Sequence, residues 1–349
     1  MRNMSMDVSA ERVTLAEIAD EAGVSLSTIS KVLNGRSDVS PGTRSRVEAL
    51  LQRSGYVRRG AGRSETHADL IELVFHELDA IWSMELIGGV ESVAKEHGLS
   101  VVLTVSGSRH APGPDWIDGV IRRRPVGVVL VFSELAPEYR EQLRTRSIPF
   151  VIIDPAGDPS PEVPSVGSAN WSGGLAATRH LIELGHRRIA AITGPDDMMC
   201  SLARIDGYRS AMNSAGLPID PAWIRFGDFH VTGGRDHASG LLALPAGERP
   251  TAIFAGSDLQ ALGVMDAARA AGLSVPDELS IVGYDDVPIS RWMNPPLTTV
   301  HQPLRRMGEE AVRLALRLAA EPHDHPAPTP RMDLATHLVV RASTAAPVG

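Results

Sequence analysis

Apolar residues recur at helical spacing through the first fifty-odd positions, then give way to short apolar runs separated by helical patterns. Leu15, Ile18, Ala19 and Ala22 lie on one face of a first helix, which a capping box of Thr14 with Glu17 starts at Leu15. Gly23 supplies a tight turn. Ser25 is placed to cap a second helix with Ile29, Val32 and Leu33 inward, which Asn34-Gly35 stops. Ser40-Pro41 opens a third helix with Val47, Leu50 and Leu51 inward, ending at Gly55. Two helices joined by a turn of about four residues, with a third as support, predict a helix-turn-helix.

From Asp69 the period changes. Leu70–Phe75, Val101–Val105, Val126–Phe132 and Phe150–Ile153 read as buried parallel strands, with helices at Glu85–Glu96, Trp116–Arg124 and Glu138–Arg146 between them. A second series follows, with strands at Ile189–Thr193, Trp223–Phe226, Ala252–Ala255 and Ser280–Gly283. Helices near Gly173–Leu184, Ala203–Ala215, Gly233–Leu244 and Leu259–Ala271 alternate with them. The expected fold is an N-terminal all-α helix-turn-helix headpiece followed by a two-lobed α/β body, each lobe doubly wound. The expected limits are 12–57 for the headpiece, 58–68 for a linker and 69–341 for the body. The first lobe takes 69–167 and 300–328, and the second 168–299 and 329–341. The stretch from Pro295 to Val300 reads as a crossover to the first lobe, Pro303–Ala320 as a helix there, and Met332–Val340 as one strand returning to the second.

Charge sharpens the division. Of 34 basic and 42 acidic groups, residues 1–64 hold ten and seven, a balance of +3, which leaves −11 on the rest. A basic head on an acidic body suits a protein whose head alone touches DNA. On the second helix Leu26, Ser27, Ser30 and Lys31 can reach base edges, and Thr28, Asn34, Thr43, Arg44 and Tyr56 can donate to phosphates. The single cysteine, Cys200, excludes an internal disulfide. No run approaches the ~20 apolar residues of a membrane span, and Met1 to Ala10 lack a signal-peptide apolar region, so a cytoplasmic protein without membrane partners is expected. No G-x-S-x-G elbow, P-loop or H-E-x-x-H motif occurs, and Asp285-Asp286 fits a structural turn as well as a catalytic pair. The reading is therefore not an enzyme. His323-Asp-His325 sits in a Pro-rich loop with no matching ligands, and neither metal nor cofactor is expected.

The run from Thr14 to Gly35, with Ile18-Ala19, Ala22-Gly23-Val24-Ser25, Thr28-Ile29-Ser30 and Val32-Leu33-Asn34-Gly35, resembles the DNA-binding headpiece of the LacI/GalR family of bacterial repressors. The body resembles the same family's effector domain, itself similar to periplasmic sugar-binding proteins. The residues carrying this are Gly174 to Leu181, Gly185 to Ile189, Gly194-Pro195, Arg204 with Gly207-Tyr208, Gly256 to Asp258, Gly283 to Asp286 and Pro296 to Val300. The resemblance implies a homodimeric repressor whose two heads bind a near-palindromic double-stranded operator and which a small molecule switches. Within that frame Lys31 and Ser27 are assigned to bases and Leu26 to a thymine methyl. Thr14, Ser25, Thr28, Ser30, Asn34, Thr43, Arg44 and Tyr56 are assigned to phosphates. The linker departs from the family. Arg58-Arg59 replaces a Pro-Asn pair, Gly60 and Gly62 weaken any helix, and Glu65 stands where a minor-groove leucine would fall. Arg58, Arg59 and Arg63 either contact the DNA backbone or a narrow minor groove, or belong to a basic linker with no fixed structure.

Ligands of open α/β sheets bind beyond the carboxyl ends of the strands. The resemblance places polar effector contacts at Arg204 and Asp258 and aromatic ones at Trp82 and Phe229. Asp154, after its strand, is a further candidate. Aromatic faces with Asp and Arg beside them are the chemistry a carbohydrate needs, so a sugar or oligosaccharide inducer is expected. The alternatives are a corepressor-dependent regulator answering a purine, nucleoside or protein coeffector, and a stand-alone sugar-binding protein, which would lack the head. Trp171 and Trp292 are also read as lying on cleft-side loops.

Overall fold

A computed structural model describes residues 15–33, 39–53, 67–78, 81–107, 111–131, 134–155, 163–320 and 330–348. The chain divides into two compact units, Met1–Thr66 and His67–Gly349. The assignments to Thr14, Asn34, Tyr56, Arg58 and Arg59, and the linker reading up to residue 66, lie outside the described residues, and the end expected for the linker at 68 already belongs to β1.

In the first unit, helices α1 (Leu15–Ala22), α2 (Leu26–Leu33) and α3 (Pro41–Arg53) form as the apolar spacing requires. The turn between α1 and α2 is closed by the Val24 N–H donating to Ala19 O at 3.0 Å. Ser25 caps α2, its Oγ accepting from the Thr28 N–H at 3.2 Å, and Ser40 caps α3 by accepting from the Thr43 N–H at 3.3 Å. Ile18, Ala19 and Ala22 of α1 meet Ile29 and Val32 of α2 and Val47 and Leu50 of α3 in one small core. Ion pairing adds Arg53 to Glu21 at 2.7 Å, an exposed contact of little energetic weight.

The second unit contains two six-stranded sheets. The first orders its strands β11-β5-β4-β3-β1-β2 and is parallel throughout. Its strands are β1 (Ala68–Phe75), β2 (Ser100–Val105), β3 (Pro125–Val131), β4 (Phe150–Ile153), β5 (Ser165–Ser168) and β11 (Arg331–Leu334). The second orders them β12-β10-β9-β8-β6-β7, with only the β10–β12 pair antiparallel. Its strands are β6 (Ile189–Thr193), β7 (Ile224–Phe226), β8 (Ala252–Ala255), β9 (Ser280–Asp285), β10 (Thr298–His301) and β12 (His337–Val339). Helices α4 (Trp82–Glu96), α5 (Pro114–Arg123), α6 (Pro137–Arg144) and α11 (Leu304–Ala320) clothe the first sheet. Helices α7 (Asn170–Glu183), α8 (Met199–Ser214), α9 (Val231–Leu242) and α10 (Asp258–Ala270) clothe the second.

The strand period of two sorts the core. Ile71, Leu73 and Phe75 of β1 pack under α4 and α11, whereas Val74 faces Trp116, Ile117 and Leu143 on the other side. In the second sheet Ile192 and Ile253 pack with α9 and α10, and Ala191 and Phe254 with α7 and α8. Helices α7 and α8 cross almost backbone to backbone. A Cβ on Gly174 would lie 2.1 Å from Arg204 O, and one on Gly207 2.2 Å from Trp171 O. Glycine at both positions is what lets α8 sit close enough to α7 to present Arg204.

Two topological expectations need correction. The run read as a single strand over Met332–Val340 is two strands, β11 in the first sheet and β12 in the second. Between them Thr336 Oγ1 donates to Ala169 O at 3.2 Å, and the Ala169 N–H donates to Leu334 O at 2.9 Å, so two crossings between the lobes are tied together. Likewise the Pro295–Val300 stretch does not cross back. It leads into β10, which pairs with β9 in the second sheet, and the chain crosses only at Gln302-Pro303. Apolar periodicity marks a strand without saying which sheet receives it.

Candidate functional site

A cavity of about 350 Å³ opens between the two lobes. Its walls are the residues that follow strand ends: His76 and Glu77 after β1, Pro195 after β6, Asp228 and Phe229 after β7, Ser257 after β8, Asp285 at the end of β9 and Gln302 after β10. Trp82 opens α4, and Met198, Cys200 and Arg204 come from the start of α8. Four non-glycine residues with φ in the left-handed region stand at strand ends of the two sheets, Asp154 (42°), Phe229 (68°), Asp285 (104°) and Asp286 (57°), and of these Phe229 and Asp285 line the cavity. Backbone held this way costs about 1–3 kcal/mol per residue.

Arg204 is the centre of the floor. Its Nε donates to Asn170 Oδ1 at 2.8 Å, one terminal nitrogen to Gly256 O, and the other to Gln302 Oε1 at 2.8 Å. The guanidinium lies 3.7 Å from the Tyr284 ring centroid and 5.4 Å from that of Phe229. Among the described residues three of its five N–H groups are engaged, which leaves two donors, and Asp285 Oδ1 stands 4.0 Å away. Burial raises the Asp285 carboxyl to about 7, against the pull of Arg204. Cys200 is buried beside them and its thiol is pushed up to about 12, so it is a neutral wall and not a nucleophile. Phe229 packs against Gly194, where a Cβ would meet its ring at 2.0 Å.

Of the five effector contacts expected, Trp82, Arg204 and Phe229 line the cavity, and Asp154 and Asp258 do not. Asp258 is fully buried beneath the floor. Its carboxylate accepts from Thr299 Oγ1 at 2.5 Å and from the Val287 N–H at 2.9 Å, and burial next to Asp285 lifts its pKa far above the ordinary range. It fixes the loop after β9. Asp154 stands one layer behind the wall, accepting from the Ser168 N–H at 3.3 Å and from Gln302 Nε2 at 3.2 Å, with its carboxyl raised to about 6 by burial. Through Gln302 it orients Arg204. The carboxylate that stands beside Arg204 at the cavity is Asp285. Its strand was read correctly, but as ending at Gly283, and two more residues of β9 carry the chain to the cavity. Asp286 turns away, held by Arg341 and by His301 Nδ1 at 3.2 Å, so the Asp285-Asp286 pair does not converge on one point. Trp171 lies within α7, and it and Trp292 are exposed and do not line the cavity.

In the headpiece, α2 presents exposed Leu26, Ser27, Ser30 and Lys31 on the side opposite Ile29 and Val32. Ser25, Thr28, Thr43 and Arg44 flank that surface at the starts of α2 and α3. Ser25 Oγ lies 2.7 Å from Ser27 Oγ and 2.9 Å from Thr28 Oγ1, a linked set of hydroxyls at the N-terminal end of the helix.

Residues 14–59 match the family described as bacterial regulatory proteins, lacI family, and residues 178–344 match a periplasmic binding protein-like domain. The HTH-type transcriptional regulator CelR of Thermobifida fusca is 35% identical over 343 residues, covering 95% of this chain and 98% of that protein. A solved CelR–cellobiose complex superposes with a TM-score of 0.70 at 33% identity, over 95% of this chain and all of the other. The lac repressor dimer bound to operator and an anti-inducer gives 0.67 at 27% identity, over 96% and 100%.

Proposed function

The chain belongs to the lacI family of bacterial regulatory proteins and is a DNA-binding transcriptional regulator; we propose that it represses carbohydrate-utilisation genes and is released from its operator when a sugar enters the interlobe cavity. The observation that carries this reading is the composition of the cavity. Trp82 comes from one lobe and Phe229 from the other, and between them lie the donors of Arg204 and the carboxylate of Asp285. Aromatic faces stack on the C–H faces of a sugar ring, and a carboxylate beside a guanidinium accepts from and donates to neighbouring hydroxyls. The relative of known structure is seen with cellobiose, which agrees with this chemistry.

Two heads of a homodimer would place their α2 helices in successive major grooves of a near-palindromic operator, in the cytoplasm. Lys31 and Ser27 would read bases, Leu26 would meet a thymine methyl, and the hydroxyls of Ser25, Thr28, Ser30 and Thr43 with Arg44 would hold phosphates. No described helix is long and apolar enough to cross a membrane. The test is fluorescence anisotropy of the full chain on DNA from upstream of its own gene, followed by a panel of mono- and disaccharides. Tight, salt-sensitive binding released by one sugar is expected. Binding that no sugar changes would overturn the sugar reading and redirect the search to purines, nucleosides or a protein coeffector.

A further inference from the structure

Each lobe of the body has two rims. One, where the strands end, holds the cavity; at the other the strands begin. In the first lobe α4 leads into β2, α5 into β3 and α6 into β4, so the C-terminal turns of these helices and the strand starts share the second rim. β1 begins in the middle of it, between β2 and β3. There the Ala68 N–H donates to Arg124 O at 2.8 Å, and His67 Nδ1 lies 3.0 Å from Pro125 O. The chain coming from the headpiece therefore joins the body at the centre of this rim.

The rim is basic although the body is acidic. All four helices of the first lobe carry cations in their last turns: Lys95 in α4, Arg122 and Arg123 in α5, Arg144 in α6 and Arg317 in α11. Arg124 and Arg146 follow in the turns. Among the described residues of these last turns and of the turns leading to the next strands, those seven cations face two acids, Glu96 and Glu141. A cation at a helix C-terminus complements the helix dipole. If that were the whole reason, the second lobe, built on the same plan, would show it equally. There the last turn of α7 holds His180, those of α8 and α9 hold no basic residue, and that of α10 holds Arg269, which Asp266 pairs. The corresponding turns of the second lobe set four cations, Arg187, Arg188, Arg249 and Arg269, against five acids. Internal pairing does not absorb the cations of the first lobe either. Arg123 donates to buried Glu72 at 2.9 Å and Arg144 pairs with Glu141 at 2.7 Å. Lys95, Arg122 and Arg317 are exposed and meet no carboxylate among the described residues.

A row of exposed cations without carboxylate partners fits a polyanion, and the point where the chain enters selects which one. Residues 54–66, which join α3 to the body, reach at most about 45 Å even fully extended. DNA bound through α2 is thereby tethered to this rim, and its phosphates stand there at a high effective concentration. We propose that the rim of the first lobe is a second, sequence-independent DNA contact, in which Lys95, Arg122 and Arg317 neutralise phosphates of the duplex flanking the operator. The inference rests on the DNA binding of the chain and not on the nature of its effector. The headpiece selects the sequence, and the body adds a share of the affinity that salt removes.

Fluorescence anisotropy of the full chain over a series of salt concentrations decides it, on a duplex from upstream of its own gene and on one of equal length and unrelated sequence. Lys95→Gln, Arg122→Gln and Arg317→Gln combined weaken both complexes about tenfold or more at low salt, and the plot of log K against log salt becomes shallower by about two to three. Arg187→Gln, Arg209→Gln and Arg269→Gln combined remove the same charge from exposed positions of the second lobe and leave both slopes as they are. Urea midpoints of the two triple variants stay close to the parent, because all six side chains are exposed. An unchanged slope in the first-lobe variant overturns the contact. Equal flattening by both variants overturns it too, since only net charge would then be felt. A loss confined to the upstream duplex does the same, because a phosphate contact carries no sequence. Absence of binding to either duplex at low salt overturns the rim and the headpiece assignments together.

Discussion

At the scale of single residues, two buried carboxyls, one at the cavity and one in the layer behind it, tie stability to pH. Asp285 and Asp154 are raised to about 7 and about 6 by burial, whereas an unfolded aspartate titrates near 4. Raised carboxyls hold protons that the unfolded chain has already lost. Their contribution to stability is therefore complete below about pH 4 and disappears as pH climbs through about 7. The apo protein is expected to lose a few kcal/mol between pH 5 and pH 7.5 from these two groups. Urea denaturation at a series of pH values checks this, and in Asp285→Asn the slope between pH 6 and 7.5 should flatten. If Asp285 accepts sugar hydroxyls as a carboxylate, ligand affinity runs the opposite way and strengthens as pH rises through 7; a pH-independent Kd would show that the neutral acid is the form that binds. Arg204 and Asp258 separate by role. Arg204→Met should abolish the response to effector and leave apo operator binding intact. Asp258→Ala, which strands the Thr299 hydroxyl and the Val287 N–H in a sealed interior, should instead cost about 2–4 kcal/mol of stability, read as a lower midpoint in the same denaturation series.

At the scale of elements, most boundaries were legible because each element announces itself locally. The Ser25 and Ser40 caps carry helix starts that the structure reproduces, and β4, β6 and β8 fall where the apolar runs put them. What was not legible was which acids converge. Asp258 begins a helix and Asp285 ends a strand, and both sit at the carboxyl edge of the second sheet. Only the packing of Thr299 and Val287 over Asp258 directs one inward and leaves the other to the cavity. Two element-level predictions follow from surfaces that were legible. On α2, Lys31→Ala should relax preference at one operator position, while Arg44→Ala on α3 should weaken all sequences alike and reduce the salt slope by about one; equal, sequence-blind losses would make Lys31 a phosphate contact. In the body, Gly207→Ala drives a Cβ against the α7 backbone at Trp171 and Leu175. Backbone cannot swing aside as a side chain does, so a loss toward the upper end of the roughly 1–3 kcal/mol typical of overpacking is expected, together with weaker effector binding as Arg204 is displaced.

For the whole molecule, the separation of charge assigns the work. A head of +3 on a remainder of −11 concentrates the favourable phosphate contacts in one unit and sets the balance of the other against the DNA. On the function proposed, the sugar enters the acidic unit, so its effect on DNA is a coupling between two distinct sites in one chain. A ligand moves such an equilibrium only by its difference in affinity for the two states, and going from 1:99 to 99:1 takes about 5.5 kcal/mol. Coupling of this kind is reciprocal. If a sugar weakens operator binding by a given factor, saturating operator must weaken sugar binding by the same factor. Calorimetric titration of the sugar into the protein, free and bound to an operator duplex, measures one side, and anisotropy with and without sugar measures the other. Equal factors are expected. In Arg204→Met both factors should fall to one, because the protein no longer distinguishes its two states by ligand. A sugar that releases DNA while its own affinity ignores the duplex would mean that release follows from dissociation or aggregation of the protein and not from a switch between two arrangements of the lobes.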